Sequence, residues 1–184
     1  QRQLCDRLGL AYETIPGVSA FSACAAAAEV EITLPEVAQS LILTRLEGGR
    51  TPMPPKESVR EFARHGTTMA LYLSAARNKV LQDELLAGGY PPDTPVIIGH
   101  RVSWPDQVLL RCRLDELSAT MKDHKFWKHT VILVGPALAA TPLVKRSHLY
   151  HPGFRHEFRA ADPDAARALA ERGAVVDETR AARS

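Results

Sequence analysis

Short apolar runs separated by helical segments dominate the chain from residue 40 onwards, and this alternation restricts the fold more than any other feature. Five runs predict strands: SLILTRLEG (40–48), TTMALYLSA (67–75), TPVIIGHRVSW (94–104), QVLLRCRL (107–114) and HTVILVGPAL (129–138). Helical patterns lie over 57–65, 77–87 and 114–124. Strands that alternate with helices favour an α/β layer fold with a central sheet. The run 67–75 is nearly continuous, which is typical of a strand covered on both faces.

The chain before residue 40 has a different pattern. Residues 1–8 predict the end of an amphipathic helix that stops at Gly9, and AYETI (11–15) predicts a short strand. Pro16-Gly17 then turn the chain. EITLPEVAQ, interrupted by Pro35, is the predicted linker to the strand-rich part.

After that turn, an unusually bare helix is predicted over residues 20–29, with Ser19 as its N-cap. Eight of the ten residues from 19 to 28 are Ala or Ser. Alanine is the best helix former but buries little apolar area, so a helix built for stability alone usually carries larger side chains. We therefore expect the small residues to allow a close approach of the helix backbone to something else.

Composition excludes several classes of protein. The 184 residues are 45% hydrophobic and 24% charged with a net charge of +2, and no dense Lys/Arg stripe indicates nucleic-acid binding. The cysteines are odd in number and scattered, which predicts reduced thiols and an intracellular, cytoplasmic location. No run of 18 apolar residues predicts a membrane span, and the first residues lack the pattern of a signal peptide.

Sites for metal binding or covalent catalysis are weakly indicated. Residues 148–156 read HLYHPGFRH, whose three histidines could share a metal, but Pro152-Gly153 interrupts any helix and no Cys or acidic ligand completes a tetrahedron. We therefore favour polar tail residues over a metal site. There is no G-x-S-x-G elbow, Cys24 has the pattern of a small buried side chain, and EGGRTP lacks both phosphate-loop fingerprints. No catalytic residue is assigned.

Charged and aromatic side chains gather where three predicted strands end. Arg45, Glu47 and Arg50 lie at the end of the first strand. Arg45 and Glu47 share one face of that strand, so they either form a surface ion pair or both reach a ligand. In open α/β sheets, ligands bind outside the carboxyl ends of the strands. The ends of the second and third predicted strands carry further candidate residues: Ser74, Ala75, Arg101, Ser103, Trp104 and Asp106. If these three strand ends converge, we expect a cleft for a large anionic ligand.

Several spaced motifs resemble the tetrapyrrole methylase family, the S-adenosylmethionine-dependent C-methyltransferases of corrin and sirohaem synthesis. IPGVSAFSACAAAA is similar to the family's Pro-Gly turn and small-residue helix, and TTMALYLSA, TPVIIGHRVSWPDQ and TVILVGPAL are similar to family strands in the same order. SLILTRLEGGRTPMP, VSWPDQ and SHLYHPGFRHEF most resemble the branch that methylates precorrin-4 at C11. The resemblance covers residues 1 to about 158.

The resemblance implies two α/β domains with S-adenosylmethionine in the cleft between them. Residues 1–34 would be the last part of the first domain, 37–140 a complete second domain with a mixed central sheet and flanking helices, and 141–184 an irregular tail. The family's N-terminal glycine-rich loop and its Gly-Asp-Pro loop do not occur in this sequence. We therefore expect most of the first domain to be missing.

The resemblance also implies which residues bind ligands. Carried over to this sequence, the cofactor S-adenosylmethionine, or its product S-adenosylhomocysteine, would contact Ser19, Ala20, Leu73, Val102 and Thr130. Arginines suit the several carboxylates of a tetrapyrrole substrate, because a guanidinium binds a carboxylate in bidentate fashion. The residues expected to bind it are Arg45, Arg50 and Arg101, with Glu47 orienting Arg45 or assisting proton removal.

The predicted function is methyl transfer to a corrin precursor, precorrin-4, in cobalamin biosynthesis, by a cytoplasmic homodimer without metal or nucleic acid. Two alternatives stay open at this point. One is a methylase of the same fold with another substrate, either a different tetrapyrrole carbon or an RNA or protein. The other is a non-catalytic folded fragment that only dimerises.

Overall fold

The computed structural model describes residues 1–48, 52–139, 152–155, 159–160, 162–168 and 170. Five strands form one mixed sheet in the order β1-β2-β5-β3-β4. Their bounds are β1 Leu41–Arg45, β2 Thr68–Tyr72, β3 Pro95–His100, β4 Val108–Arg113 and β5 Thr130–Val134. Each strand lies inside one of the five apolar runs, so the predicted mixed central sheet is confirmed.

The strand directions decide which loops meet. β1 and β2 are parallel, whereas β5 lies between β2 and β3 and is antiparallel to both. The carboxyl ends of β1, β2 and β3 therefore lie at one edge of the sheet, together with the start of β5. The predicted convergence of three strand ends is confirmed by this arrangement.

Three helices cover one face of the sheet. They are α3 Val59–Ala63, α4 Asn78–Ala87 and α5 Leu117–Asp123, the last preceded by a 3₁₀ turn at Leu114–Glu116. The core on this face combines every second residue of the central strands with buried helix side chains: Met69, Leu71, Ile98, Ile132 and Val134 with Leu81, Leu85, Leu117 and Met121. Full burial of one such side chain contributes about 1.5–3 kcal/mol, so this layer accounts for much of the stability.

The Ala-rich helix α2 (Ala20–Ala27) covers the other face. Its Phe21, Cys24 and Ala25 pack against the intervening strand residues, among them Ala70, Ile97, Val131 and Leu133. Both faces of β2, β3 and β5 are thus covered, which explains their continuous apolar runs. A Cβ atom on Gly99 would lie 2.5 Å from the Sγ of Cys24. The small side chains of α2 therefore allow its backbone to approach the sheet closely.

The N-terminal segment differs from its prediction in one place. Helix α1 (Arg2–Leu8) ends as expected at Gly9, which has a left-handed φ of 64°. Residues 11–15 do not form a strand, and the prediction for AYETI is wrong. A strand exists only when its N–H and C=O groups pair with a neighbour, and none of the five described strands pairs with this exposed segment.

The remaining segments connect or follow the sheet. The predicted linker contains a turn closed by a bridge between Leu34 and Ala38. Residues 163–168, within the predicted tail, are helical. The proposed domain boundaries at 34, 37 and 140 stay predictions. Across the described part of the chain, no helix is both long enough and apolar enough to span a bilayer.

Candidate functional site

A cleft of about 510 Å³ opens at the edge of the sheet where β2 and β3 end and β5 begins. This volume falls within the range of small-molecule sites. Its walls come from the start of α2, the ends of β2 and β3, and the segment that enters β5: Ala20, Tyr72, Leu73, Ala75, Gly99, Arg101, Val102, Trp104, Trp127, Lys128, His129, Thr130 and Val131.

Four of the five predicted cofactor residues line this single cleft: Ala20, Leu73, Val102 and Thr130. The fifth, Ser19, is the N-cap of α2 and places its hydroxyl 2.9 Å from the hydroxyl of Tyr72 in the cleft wall. The structure therefore brings together residues that are spread over more than a hundred positions of sequence. Their role toward a cofactor stays a prediction.

The first turn of α2 is attached to the sheet in an unusual way. Ser19 has the extended backbone of an N-cap, but its side chain accepts no helix N–H. The hydroxyl of Tyr72 accepts the N–H of Phe21 instead, at 3.0 Å. In an ordinary cap the N-cap side chain accepts from this second helical residue or the next one. Tyr72, at the end of β2, therefore takes over the capping function.

Backbone strain is concentrated at this cleft. Seven described non-glycine residues have a positive φ, and three of them line the cleft: Leu73 (53°), Arg101 (51°) and His129 (54°). Each such conformation costs roughly 1–2 kcal/mol and persists only where surrounding contacts enforce it, as they commonly do at ligand sites. Leu73 is 87% exposed, so this strained residue presents an apolar side chain to the open cleft.

Aromatic and basic side chains form the outer rim. The guanidinium of Arg101 lies 4.2 Å from the centre of the Trp104 ring and is 2.5 Å from a carboxylate oxygen of Asp106. Its Nε is buried and has no hydrogen-bond partner among the described residues. Trp104 and Trp127 are each about half exposed. The rim thus combines flat apolar surface with positive charge, which suits a conjugated or anionic ligand.

His100 fixes the orientation of Thr130 behind the cleft wall. Its ring stacks on Phe126 at 4.2 Å, and its Nδ1 is 3.0 Å from the Thr130 hydroxyl. That hydroxyl donates its single proton to the carbonyl of Lys128. His100 must then donate from Nδ1, because a hydroxyl has one proton to give. Burial, and next the positive charge of Arg101, lower the pKa of His100, which favours this neutral form.

The predicted substrate residues are divided between two clefts. Arg45 lines a smaller cleft of about 340 Å³ with Leu43, Thr44, Met53, Glu57, Phe62 and Tyr72. Arg101 lies in the larger cleft with the predicted cofactor residues. Glu47 accepts the N–H of Met53 at 3.4 Å, and its carbonyl accepts from Arg77. Arg50 lies outside the described residues.

The other chemistry considered from the sequence was metal binding and a reactive thiol. No group of three His, Cys, Asp or Glu that could hold a metal occurs among the described residues. His148, His151 and His156 lie outside them. Cys24 is fully buried, and burial raises the pKa of its thiol to about 11, so the thiol is neutral and unreactive at physiological pH.

Sequence reasoning missed Tyr72, which lines both clefts, and the segment Trp127, Lys128 and His129. Tyr72 immediately precedes the predicted Leu73, but its hydrogen bonds join segments that are 51 and 53 positions apart. An aromatic and two basic residues directly before a buried strand are a visible signal. It becomes meaningful only once β5 is known to lie between β2 and β3.

Comparison with known proteins identifies the family. The model of the tetrapyrrole (corrin/porphyrin) methylases matches residues 1–118, well over half of the chain. The chain belongs to the tetrapyrrole methylase family. It is 40% identical over 161 residues to the cobalt-precorrin-4 C(11)-methyltransferase of Priestia megaterium, covering 86% of this chain and 62% of that protein. It is 44% identical over 145 residues to the precorrin-4 C(11)-methyltransferase of Mycobacterium tuberculosis, covering 79% and 57%.

Two solved structures share the fold of this chain. The crystal structure of a cobalt-precorrin-4 methyltransferase from cobalamin biosynthesis has a TM-score of 0.71 and 39% identity, covering 75% of this chain and 57% of that one. The uroporphyrin-III C-methyltransferase of Thermus thermophilus, complexed with S-adenosylhomocysteine, has a TM-score of 0.57 and 21% identity, covering 74% and 58%. This second likeness shows the fold alone. The chain spans about 60% of the length of the curated relatives it matches.

Proposed function

We propose that the protein to which this chain belongs transfers the methyl group of S-adenosylmethionine to C11 of a corrin precursor, precorrin-4, in cobalamin biosynthesis. The observation that carries the proposal is the assembly of Ala20, Leu73, Val102 and Thr130 in one cleft beside Ser19. Several relatives between 37% and 44% identical carry the precorrin-4 C(11)-methyltransferase name, which supports the substrate.

The cleft fits a nucleoside-type cofactor in size and in chemistry. Its volume of about 510 Å³ suits a small organic molecule. Leu73 and Val102 supply apolar surface. At the rim, the backbone adopts a positive φ at Arg101 and at His129. S-adenosylmethionine supplies an activated methyl group on a sulfonium and leaves as S-adenosylhomocysteine.

The contribution of this chain is to bind and orient the two reactants. Holding two reactants in line supplies roughly 7–11 kcal/mol toward the barrier of a reaction that needs no covalent enzyme intermediate. On the cofactor side, Ala20 lets the start of α2 approach closely, and Thr130 is held in one rotamer by His100.

The smaller cleft suits part of the substrate. Arg45 supplies a cation for a peripheral carboxylate, and Leu43, Met53 and Phe62 supply apolar surface beside it. We assign Arg45, Arg50 and Arg101 to substrate anchoring. The hydrogen bond from Met53 to Glu47 favours a role of Glu47 in shaping this loop.

We also propose that the enzyme works as a cytoplasmic homodimer. The three cysteines are unpaired, as expected in a reducing compartment. Sedimentation at several protein concentrations tests the dimer: a single species at the monomer mass at all concentrations would contradict it.

Titration of S-adenosylhomocysteine into this chain, followed by calorimetry, tests the cofactor cleft. We expect micromolar binding that Ser19→Trp abolishes, because an indole at the start of α2 would occupy the cleft. Ser40→Trp is the matched control, since Ser40 is exposed and precedes β1 at the opposite edge of the sheet. Equal binding by wild type and Ser19→Trp would place the cofactor elsewhere.

Methyl transfer is tested in a protein that also contains the remaining length of the relatives. We expect radiolabel from S-adenosylmethionine to enter precorrin-4 or its cobalt form, and Arg45→Met to raise KM for the macrocycle more than KM for the cofactor. Transfer to uroporphyrinogen, RNA or protein instead of precorrin-4 would replace the proposed substrate.

A further inference from the structure

Tyr72 occupies the position where the two clefts meet. It is the last residue of β2, it is paired with Arg45 of β1 in the parallel register, and it is common to the walls of both clefts. Its ring packs against the buried cluster on the α2 face, so the side chain is fixed by the core. Its hydroxyl extends from this core to the start of α2.

Two hydrogen bonds join that hydroxyl to the first turn of α2. The N–H of Phe21 donates to it at 3.0 Å, and the Ser19 hydroxyl lies 2.9 Å away. Because Ser19 does not cap the helix with its own side chain, Tyr72 supplies the acceptor that the helix end requires. Ala20, which faces the larger cleft, lies between the two residues that Tyr72 holds.

We propose that Tyr72 is a positioning residue: its hydroxyl fixes Ser19 and the first turn of α2 against the end of β2, and thereby sets the cofactor wall of the larger cleft. Ser19 then affects cofactor binding only through its hydrogen bond with Tyr72, without touching the cofactor itself. The effect on cofactor binding rests on the proposed function. The hydrogen bonds between Tyr72 and the start of α2 are present in the chain without ligand.

Tyr72→Phe removes the hydroxyl and keeps the packed ring. The matched control is Tyr90→Phe: Tyr90 is buried, and its hydroxyl donates to the carbonyl of Thr67, just before the start of β2 and away from the cleft. Tyr72→Phe loses the two hydrogen bonds of its hydroxyl and Tyr90→Phe loses one, so both variants are expected to unfold at a lower temperature. Only the Tyr72 variant is expected to change the cleft.

Two readouts separate positioning from stability. In calorimetry we expect Tyr72→Phe to weaken S-adenosylhomocysteine binding about 3- to 10-fold, a change equal to the net contribution of a typical hydrogen bond, and Tyr90→Phe to leave the affinity unchanged. Without ligand, we expect the amide hydrogen of Phe21 to exchange faster in Tyr72→Phe than in wild type or in Tyr90→Phe, because it has lost its acceptor.

A double-mutant cycle with Ser19→Ala tests whether Ser19 acts through Tyr72. We expect the double variant to bind S-adenosylhomocysteine as weakly as Tyr72→Phe alone, since the two hydroxyls form one unit. Additive losses would mean that Ser19 contacts the ligand itself and would overturn that part of the inference.

The outcomes distinguish the inference from the proposed function. If wild type fails to bind S-adenosylhomocysteine, the cofactor cleft of this chain is refuted, and the exchange of the Phe21 amide still decides whether Tyr72 holds the helix. If wild type binds and Tyr72→Phe binds equally well, the positioning role is wrong while the cofactor cleft stands. A lower unfolding temperature with unchanged affinity would leave Tyr72 a structural role only.

Discussion

Replacing Gly99 by alanine tests whether α2 is rich in small residues because it lies so close to the sheet. A Cβ atom at this position would lie 2.5 Å from the Sγ of Cys24 and 2.7 Å from the Cγ2 of Val102, where ordinary contacts are 3.4–4 Å. Gly99 is not among the glycines with a positive φ, so the alanine is accepted by the backbone and the effect is steric. Relief of the overlap requires a shift of about 1 Å in a close-packed layer.

Overpacking of this kind lowers the free energy of unfolding by about 1–3 kcal/mol. For a chain of this length the midpoint of thermal unfolding should fall by roughly 2–4 °C for each kcal/mol. Cys24→Ala alone should cost about 1 kcal/mol, because it removes one buried heavy atom and leaves a small void. Together the two changes should cost less than their sum, by roughly 1 kcal/mol, since the nearer of the two clashing atoms, the Sγ of Cys24, is gone.

Urea unfolding followed by far-UV circular dichroism measures the four free energies of this cycle. Gly17→Ala is the control: it makes the same chemical change in the exposed segment before α2, where no atom lies within 4 Å of the added Cβ. We expect its effect to stay within about 0.5 kcal/mol. An unchanged unfolding midpoint for Gly99→Ala, or strictly additive effects with Cys24→Ala, would refute the close approach of α2 to β3.

Two further predictions concern titratable groups. Because burial and Arg101 lower the pKa of His100 from its ordinary 6.5, the unfolded chain binds the proton more readily. Wild type should therefore lose more unfolding free energy than His100→Asn as the pH falls from about 7 to 5. Asparagine is chosen because its amide keeps a donor for Thr130. If the unfolding free energies of the two proteins, measured with urea, fall equally with pH, the lowered pKa is contradicted. Cys24 and Cys112, whose thiol pKa values burial raises to about 11, should resist iodoacetamide at pH 8 in the native protein and react in urea, as mass spectrometry can measure. Rapid native modification of Cys24 would show that α2 does not stay packed.

Local patterns were sufficient to predict the elements of the sheet. Apolar runs bounded by turns predict strands, and each of the five runs contains one. The spacing of apolar residues and the glycine stop signals located α1 and α4 in the same way. AYETI had a strand's alternation but no neighbour to pair with, so a correct local pattern led to a wrong element.

The site was predictable only in part, because hydrogen bonding and packing join residues that are far apart in sequence. The resemblance to a family named Ala20, Leu73, Val102 and Thr130, and these residues do line one cleft. It did not reveal Tyr72, whose importance lies in contacts with Ser19 and Phe21 rather than in its place within the strand.

The amino-acid sequence by itself determined the fold class, the position of each strand and the family, since these depend on residue types at short spacing. Only the tertiary structure decided that β5 enters the sheet between β2 and β3, which brings Thr130 between Leu73 and Val102. It also decided that Arg45 and Arg101 face different clefts. The physical reason is that strand order is selected by burial over the whole sheet. The apolar side chains on both faces of every central strand must be buried at once, and no short segment of sequence specifies the strand order that achieves this.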